Sequence, residues 1–439
     1  MSLVSALYTG VSGIRSNSAA LQAIGNNIAN VNTNGFKSSA VRFADLVGSN
    51  LSNPLGRGVM VNNVQTNYSQ GSFENTGQVL DLAIDGDGFF VLSDEVGATQ
   101  RYTRTGAFEL NADGYVVASD GMFVQGYQFN ESGTLDLELQ SIALSSAVSP
   151  PNPTGDGVEP GTGVQLNANL NADDDYVGPF DVTNPTGTSN FYTSVEVYDS
   201  LGSSHTVTVY FTKQDPATAP NSWDWNAMVD ADELDSSVTI PAGADGAIQA
   251  NGTLIFDTSG ALQTSTLTSS SFSFAGGVVL NQAIGFNFGD AVDDGGTGYD
   301  GTTQFASASL INYVSQDGYG AGTLRGISID NEGVITGVFS NGRSRSLAQL
   351  ALATFQNQNG LIKVAGNRWA DSPESGVPNI STPGTGSAGK IIAESLELSN
   401  VDISGEFVKL ISSQRALQAS SRVLSTSDDM LEEVVNLKR

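Results

Sequence analysis

Near the start of the chain, Leu7, Ile14, Leu21 and Ile28 fall seven residues apart. Leu3, Ile24 and Val31 sit at the steps of three and four between them, with Gly10 and Asn17 completing the row. A 3.5-residue period predicts a helix over residues 1–31 with a coiled-coil-like seam, about 43 Å long at ~1.5 Å per residue. Asn34-Gly35 is its stop signal. The other end repeats the spacing at Ile403, Leu410, Leu417, Leu424 and Leu431, with Phe407, Gln414, Ser421, Asp428 and Val435 as the expected alternate seam positions. Ser399 and Asp402 read as a capping box, which predicts a helix over about 400–436, roughly 50 Å long. Two heptad helices of matched length are expected to pair; separate packing on a globular body is the alternative.

Between the ends the pattern changes to a period of two. Asp113-Gly114 links Phe108-Glu-Leu-Asn to Tyr115-Val-Val-Ala, and Asp120-Gly121 precedes Met122-Phe-Val-Gln, two hairpin signals. Leu82-Ala-Ile, Phe89-Phe-Val-Leu, Thr206–Phe211, Trp223–Val229, Thr253-Leu-Ile-Phe and Gly333–Phe339 add strand-like runs. The expected fold class is mainly β with α-helical termini: a coiled-coil-like terminal helix pair, an inner antiparallel β-domain and an inserted outer β-domain. Loop-like stretches at Ser149–Gly155, Gly295–Gly301 and Ser372–Gly389 suggest nested boundaries. These are a terminal helical assembly domain (1–36 plus 390–439), a connector (37–71 plus 371–389), an inner β-domain (72–145 plus 321–370) and an outer β-domain (146–320).

Composition narrows the chemistry. The 439 residues carry 18 basic and 46 acidic side chains, a net charge of −28, which argues against nucleic acid or an anionic membrane as partner. No run of about 18 apolar residues suggests membrane insertion, and the N-terminus lacks the basic and apolar regions of a cleaved signal peptide. There is no Cys, which excludes disulfides and thiolate sites, and one His, which excludes any site needing two imidazoles in one chain. That residue, His205, reads as a strand-surface side chain; no Gly-x-Ser-x-Gly elbow supports a triad. Asp85-Gly-Asp-Gly88 and Asp173-Asp-Asp175 lack the EF-hand spacing; Asp290, Asp293, Asp294 and Asp300 in a Gly-rich loop could bind Ca²⁺ weakly outside a cell, and solvated turns are the expected reading of all three. No catalytic residue, cofactor or metal site is expected. The first 36 residues hold one charge, Arg15, so the outer faces of the first helix are small and neutral and suit packing against further copies.

Ile24-Gly-Asn-Asn-Ile-Ala-Asn30 and Ile28-Ala-Asn-Val-Asn-Thr-Asn-Gly-Phe-Lys37, with Asn27, Ala29, Asn30, Asn32, Thr33, Gly35 and Phe36, closely resemble the start of the flagellar rod and hook family. The C-terminal run Glu394–Asp402, with Ser399, Asn400, Val401 and Asp402, then Gln414–Ser420 and Asp428–Leu431, resembles the family's other signature. Leu80–Phe90, Tyr102–Phe108 and Ala353–Leu361 resemble its shared β-domain. The large acidic insert looks like a hook subunit; a distal rod subunit is the near alternative, and a secreted β-rich adhesin or hydrolase the different-class one. The resemblance implies a structural homo-polymer of many copies, exported by the flagellar type III apparatus without a cleaved signal. It would be located extracellularly in the flagellar hook, as a curved tube acting as a universal joint between rod and filament. Implied partners are the distal rod, the hook cap and the hook–filament junction protein.

Overall fold

The computed structural model describes residues 3–47, 56–94, 99–130, 133–144, 148–159, 161–276 and 279–436. The first helix, α1, runs Leu3–Ala29, and the last, α2, runs Ile403–Asn436. Helix α1 stops two residues before the expected Val31. The Asn30 side chain folds back, its Nδ2 donating to the Asn26 carbonyl (2.9 Å), and the Thr33 hydroxyl donates to Asn30 Oδ1 (3.1 Å). A side chain that bonds the helix's own last carbonyls ends it. Helix α2 begins after Asp402, whose Oδ1 accepts from the Ser404 amide (3.1 Å). The cap is therefore Asp402 itself. Ser399 lies further upstream, its hydroxyl oxygen facing the Val401 amide (3.4 Å), so the expected capping box does not form.

The chain divides into two compact units. The first comprises Met1–Ala147, Arg325–Val338 and Ser344–Arg439. Its β-body is antiparallel and is assembled from both sides of the sequence. Phe89–Ser93 pairs with Gln100–Thr103, Phe123–Gln128 and Leu352–Thr354, while Leu82–Asp85 pairs with Lys390–Ala393. Both expected turns form. Asp113-Gly114 joins Phe108–Leu110 to Val116–Ala118, with Gly114 at φ 77°, and Gly121 turns at φ 85°. Phe89, Val91, Tyr102, Phe355 and Trp369 form a buried cluster, with the Phe89 and Trp369 rings 5.3 Å apart at 61°. Residues 37–71 are expected to form a connector. They hold a long antiparallel hairpin of two strands, β1 (Ser39–Val47) and β2 (Gly56–Thr66), in register Val41↔Val64.

The second unit comprises Val148–Leu324 and the short return Phe339–Arg343, tied in by Asn341 Nδ2, which donates to Ser149 Oγ (3.2 Å) and the Gly320 carbonyl (2.9 Å). Five antiparallel strands follow in sequence order: Phe191–Tyr198, Ser204–Lys213, Ser222–Asp230, Gly246–Phe256 and Leu262–Ser270. A three-stranded sheet centred on Val164–Asn169 shares one core with them. Alternation dictates which side chains enter that core: along Ser204–Lys213, residues 205, 207, 209 and 211 are all buried.

His205 is on that inward set, contrary to the surface position expected for it. Its ring stacks on Phe274 with centroids 4.0 Å apart. Nε2 lies 3.0 Å from Asp199 Oδ2 and Nδ1 3.3 Å from Glu233 Oε2. Both nitrogens are thus engaged by carboxylates, and neither is left to activate a hydroxyl.

Trp225 is 1% exposed and packs on Phe286 and Phe288 at 5.0 and 5.1 Å. Trp225→Ala should weaken the second unit by about 3–5 kcal/mol through the cavity it leaves. In calorimetry one transition should move down while the other stays in place. A single transition shifted as a whole would contradict two separate cores.

Candidate assembly interface

Helices α1 and α2 lie antiparallel, and small residues set how closely they approach. Gly10 faces the Ser420 carbonyl and Leu424, and a Cβ built on Gly13 would stand 2.8 Å from Ser420 Oγ. Seventeen residues along α1 from Gly10, Asn27 Nδ2 donates to Glu406 Oε2 (3.1 Å). The seam on α2 is sheltered at Glu406, Leu410, Ser413, Leu417, Ser420, Leu424, Ser427 and Leu431. The leucines are where the spacing places them, but the alternate row is one residue earlier than expected. Phe407, Gln414, Ser421 and Asp428 are exposed, and so is Ile403. The reason is steric at the closest approach: Ser420 fits against Gly10 and Gly13 of α1, where a larger group would hold the helices apart.

On α1, Leu7, Ile14, Leu21 and Ile28 are half-buried and Ile24 is buried, while Val31 is half-buried in the turn beyond the helix. The remaining buried α1 positions are Gly10, Gly13, Ser16, Ala20 and Asn27. Two surfaces cover α1, which explains this. Helix α2 takes one side and the β1–β2 hairpin another, where Ser16 Oγ donates to the Val59 carbonyl (3.2 Å) and the Val59 amide donates to Ser12 Oγ (3.2 Å).

Below the helices, the two terminal sequence motifs meet. Asn27 Nδ2 donates to the Ser39 carbonyl (2.8 Å) and its Oδ1 accepts from the Ser39 amide (2.9 Å), fixing the start of β1. Asn400 Oδ1 accepts from the Ser38 amide (2.8 Å), and its Nδ2 donates to the carbonyls of Asn67 and Ser69. Gly35, at φ 66°, donates its amide to the Glu397 carbonyl (2.6 Å). A Cβ there would meet the Arg104–Thr105 backbone at 2.7 Å, so only glycine fits. Phe36 is buried, with Lys363 Nζ 4.5 Å over its ring. Thr33 and Val401 are half-buried, while Ala29 and Asn32 are exposed.

One group of residues escaped the sequence reading. Lys37, Arg104 and Glu397 are all at least 98% buried. Lys37 Nζ lies 2.6 Å from Glu397 Oε1 and donates to the Ser69 carbonyl (2.8 Å). The Gly71 amide donates to the same carboxylate (2.8 Å), Arg104 Nη1 stands 3.6 Å from its other oxygen, and Arg104 Nη2 donates to the Gly86 carbonyl (2.9 Å). Burial pushes the Lys37 ammonium and the Arg104 guanidinium below their ordinary pKa values, with Glu397 opposing the shift in both. The available signal was Lys37 itself, the only charge between Arg15 and Arg42.

Comparison with known proteins places this arrangement. The family described as flagella basal body rod protein matches residues 7–37, and that described as flagellar basal body rod FlgEFG protein C-terminal matches 392–437. These are the two segments that meet at Glu397. The flagellar hook protein FlgE/F/G D1 domain matches 83–158, and the flagellar basal body protein FlaE D2 domain matches 165–319. The flagellar hook protein FlgE of Treponema pallidum is 37% identical, with 100% of each chain covered. The chain belongs to the flagellar hook protein family. The hook protein FlgE of Salmonella typhimurium is 33% identical over 98% of each chain, and that of Borreliella burgdorferi 31% over 99% of this chain and 100% of its own. A crystal structure of the Helicobacter pylori hook protein FlgE2 covers 74% of this chain and 100% of its own, at 16% identity and a TM-score of 0.48. A hook family member is a structural subunit of the flagellum.

Removing one partner of a buried ionic cluster strands the others in a medium that cannot solvate them. Glu397→Ala should therefore destabilise the first unit by about 3–5 kcal/mol. Denaturant melts of the two units followed separately would check it, and a change within about 0.5 kcal/mol would show that the cluster holds nothing together.

Proposed function

We propose that the chain polymerises with many copies of itself into the curved helical tube of the flagellar hook, a flexible joint carrying torque from rod to filament. Similarity to hook proteins along the whole length, insert included, is the observation that carries this reading; it favours a hook subunit over a distal rod subunit or a secreted adhesin or hydrolase. The paired helices α1 and α2, with the β1–β2 hairpin against α1, form the inner assembly layer, and the β-domains form the outer layers. The subunit travels unfolded through the flagellar type III apparatus without a cleaved signal and assembles outside the cell. It meets the distal rod, the hook cap and the hook–filament junction protein. A chain without cysteine suits such threading.

The self-assembly residues fall into two sets. Leu7, Ile14, Leu21, Ile24, Ile28, Leu410, Leu417, Leu424 and Leu431 hold the two helices of one subunit together, and Val31 packs the turn beyond. Ile403 and Phe407, 45% and 49% exposed, belong to an apolar row on α2 that also includes Ile411. Neighbouring subunits cover this row. Its area is what a lone subunit leaves in water, so polymerisation supplies burial that folding does not.

Leu417→Asp places a charge in the half-buried seam. Tube formation should be lost in electron micrographs, while the β signal and melting of the two β-bodies stay within about 0.5 kcal/mol. Tubes formed normally by this variant would refute the role given to the helix pair. The subunit is also expected to be catalytically silent: hydrolysis of a glycan, ester or peptide panel that one point substitution abolished would overturn this.

A further inference from the structure

The groove between α1 and the β1–β2 hairpin has about 370 Å³ of open volume and is walled by Tyr8, Ser12, Arg15, Leu46, Arg57 and Met60. Its apolar walls are unusually open to solvent: Tyr8 is 69% exposed, Met60 45% and Leu46 39%. The two arginines have no ion-pair partner among the described residues. In a chain of net charge −28, residues 3–66 carry Arg15, Lys37, Arg42 and Arg57 against Asp45 alone. The groove is a cationic, half-apolar slot in an otherwise acidic molecule.

The complementary surface is on the same chain. The last described turns of α2 carry Asp428, Asp429, Glu432 and Glu433, all exposed and none in an ion pair among the described residues. Leu424, Ser427 and Leu431 turn toward α1. At 100° per residue, Asp429 and Glu433 therefore point away from it, with Met430 (59% exposed) beside them. Because the helices are antiparallel, with Leu424 beside Gly10, this acidic tip runs past the start of α1, more than two turns along the axis from Arg15. None of its carboxylates pairs with Arg15 or Arg57 of the same chain among the described residues.

We infer that the groove receives the acidic tip of α2 from a second copy of this chain, Asp429 and Glu433 facing Arg15 and Arg57 while Met430 enters the apolar wall. This inference rests on the hook reading and specifies one of its subunit contacts. Opposite charges steer the approach and set the register, and the apolar residues supply the burial.

The test uses the full chain, polymerised at moderate salt, with critical concentration measured by sedimentation and tubes counted by electron microscopy. R15E/R57E and D429K/E433K should each raise the critical concentration at least about tenfold, because like charges are brought together. All four residues are exposed, so circular dichroism and melting should match the wild type. Carrying all four substitutions on one chain should bring the critical concentration back to within about threefold of the wild type. Mixing the two double variants should also restore tubes, since each groove then finds an opposite tip on a neighbour; a contact within one chain would not be rescued by mixing. Unimpaired assembly of either double variant, or no recovery in the fourfold variant and the mixture, would overturn the inference. Failure of the wild-type chain to form tubes at all would instead refute the hook reading beneath it.

Discussion

One buried carboxylate holds the two ends of this chain together. Glu397 takes the Lys37 ammonium, the Gly71 amide and the neighbourhood of Arg104 at its side chain, and the Gly35 amide at its carbonyl. Lys37 and Glu397 are 360 residues apart, so everything between them is an insertion into a closed loop. Loop-closure entropy grows only with the logarithm of length, so a long insert adds little to the cost of closure. That permits a family to enlarge its outer part without disturbing its base. Three buried charges are an inefficient way to stabilise a fold, since apolar groups of the same shape often do as well. Their advantage is direction: the guanidinium, ammonium and carboxylate accept one another in few orientations, and each belongs to a different part of the chain.

The seam above this clasp follows a different rule. Glycine and serine at the closest approach let backbones come near but bury little apolar area. The leucines at 410, 417, 424 and 431 add to it and are only half-covered. Such a pair is short of burial by design of its sequence, and the missing area is present on the outer side as Ile403, Phe407 and Ile411. Weak pairing inside a subunit and strong demand between subunits are two consequences of one choice of small residues.

The heptads at both ends, the β character between them and the glycine turns at 114 and 121 were legible because each rests on local periodicity or on a backbone angle that few residues tolerate. The family motifs located the junction, but not what it does: Asn27, Asn400 and Glu397 bond to partners distant in sequence, and no periodicity records that. The phase of the α2 seam differs from that expected because a start at Ile403 and a step of four give Phe407, while the helix turns Glu406, Ser413, Ser420 and Ser427 inward, Ser420 meeting Gly10 and Gly13. The β1–β2 hairpin was missed although Val41, Phe43, Val59 and Val61 alternate. Its strands are largely exposed, so the alternation separates two partly wet faces and not core from solvent. His205 was misplaced for the opposite reason: a polar residue in an inward position is legible only once its carboxylate partners, six and 28 residues further along or behind, are brought to it by the sheet.

The distribution of charge gives the subunit a polarity that its helices alone lack. Helix α1 carries one charge, Arg15, while α2 carries eight, four of them carboxylates at its tip. Arginines beside the hairpin and carboxylates at the α2 tip are two different patches at different heights along the pair, so in a helical polymer, where one screw operation relates each copy to the next, a contact between them is directional. In such a polymer the inferred contact would be heterologous: each copy would use its groove on one neighbour and its tip on another, leaving one of each free at the ends. A heterologous contact whose rotation does not close a ring generates an open helix. The direction of growth of such a tube would then follow from where a few charged side chains sit along the helix pair.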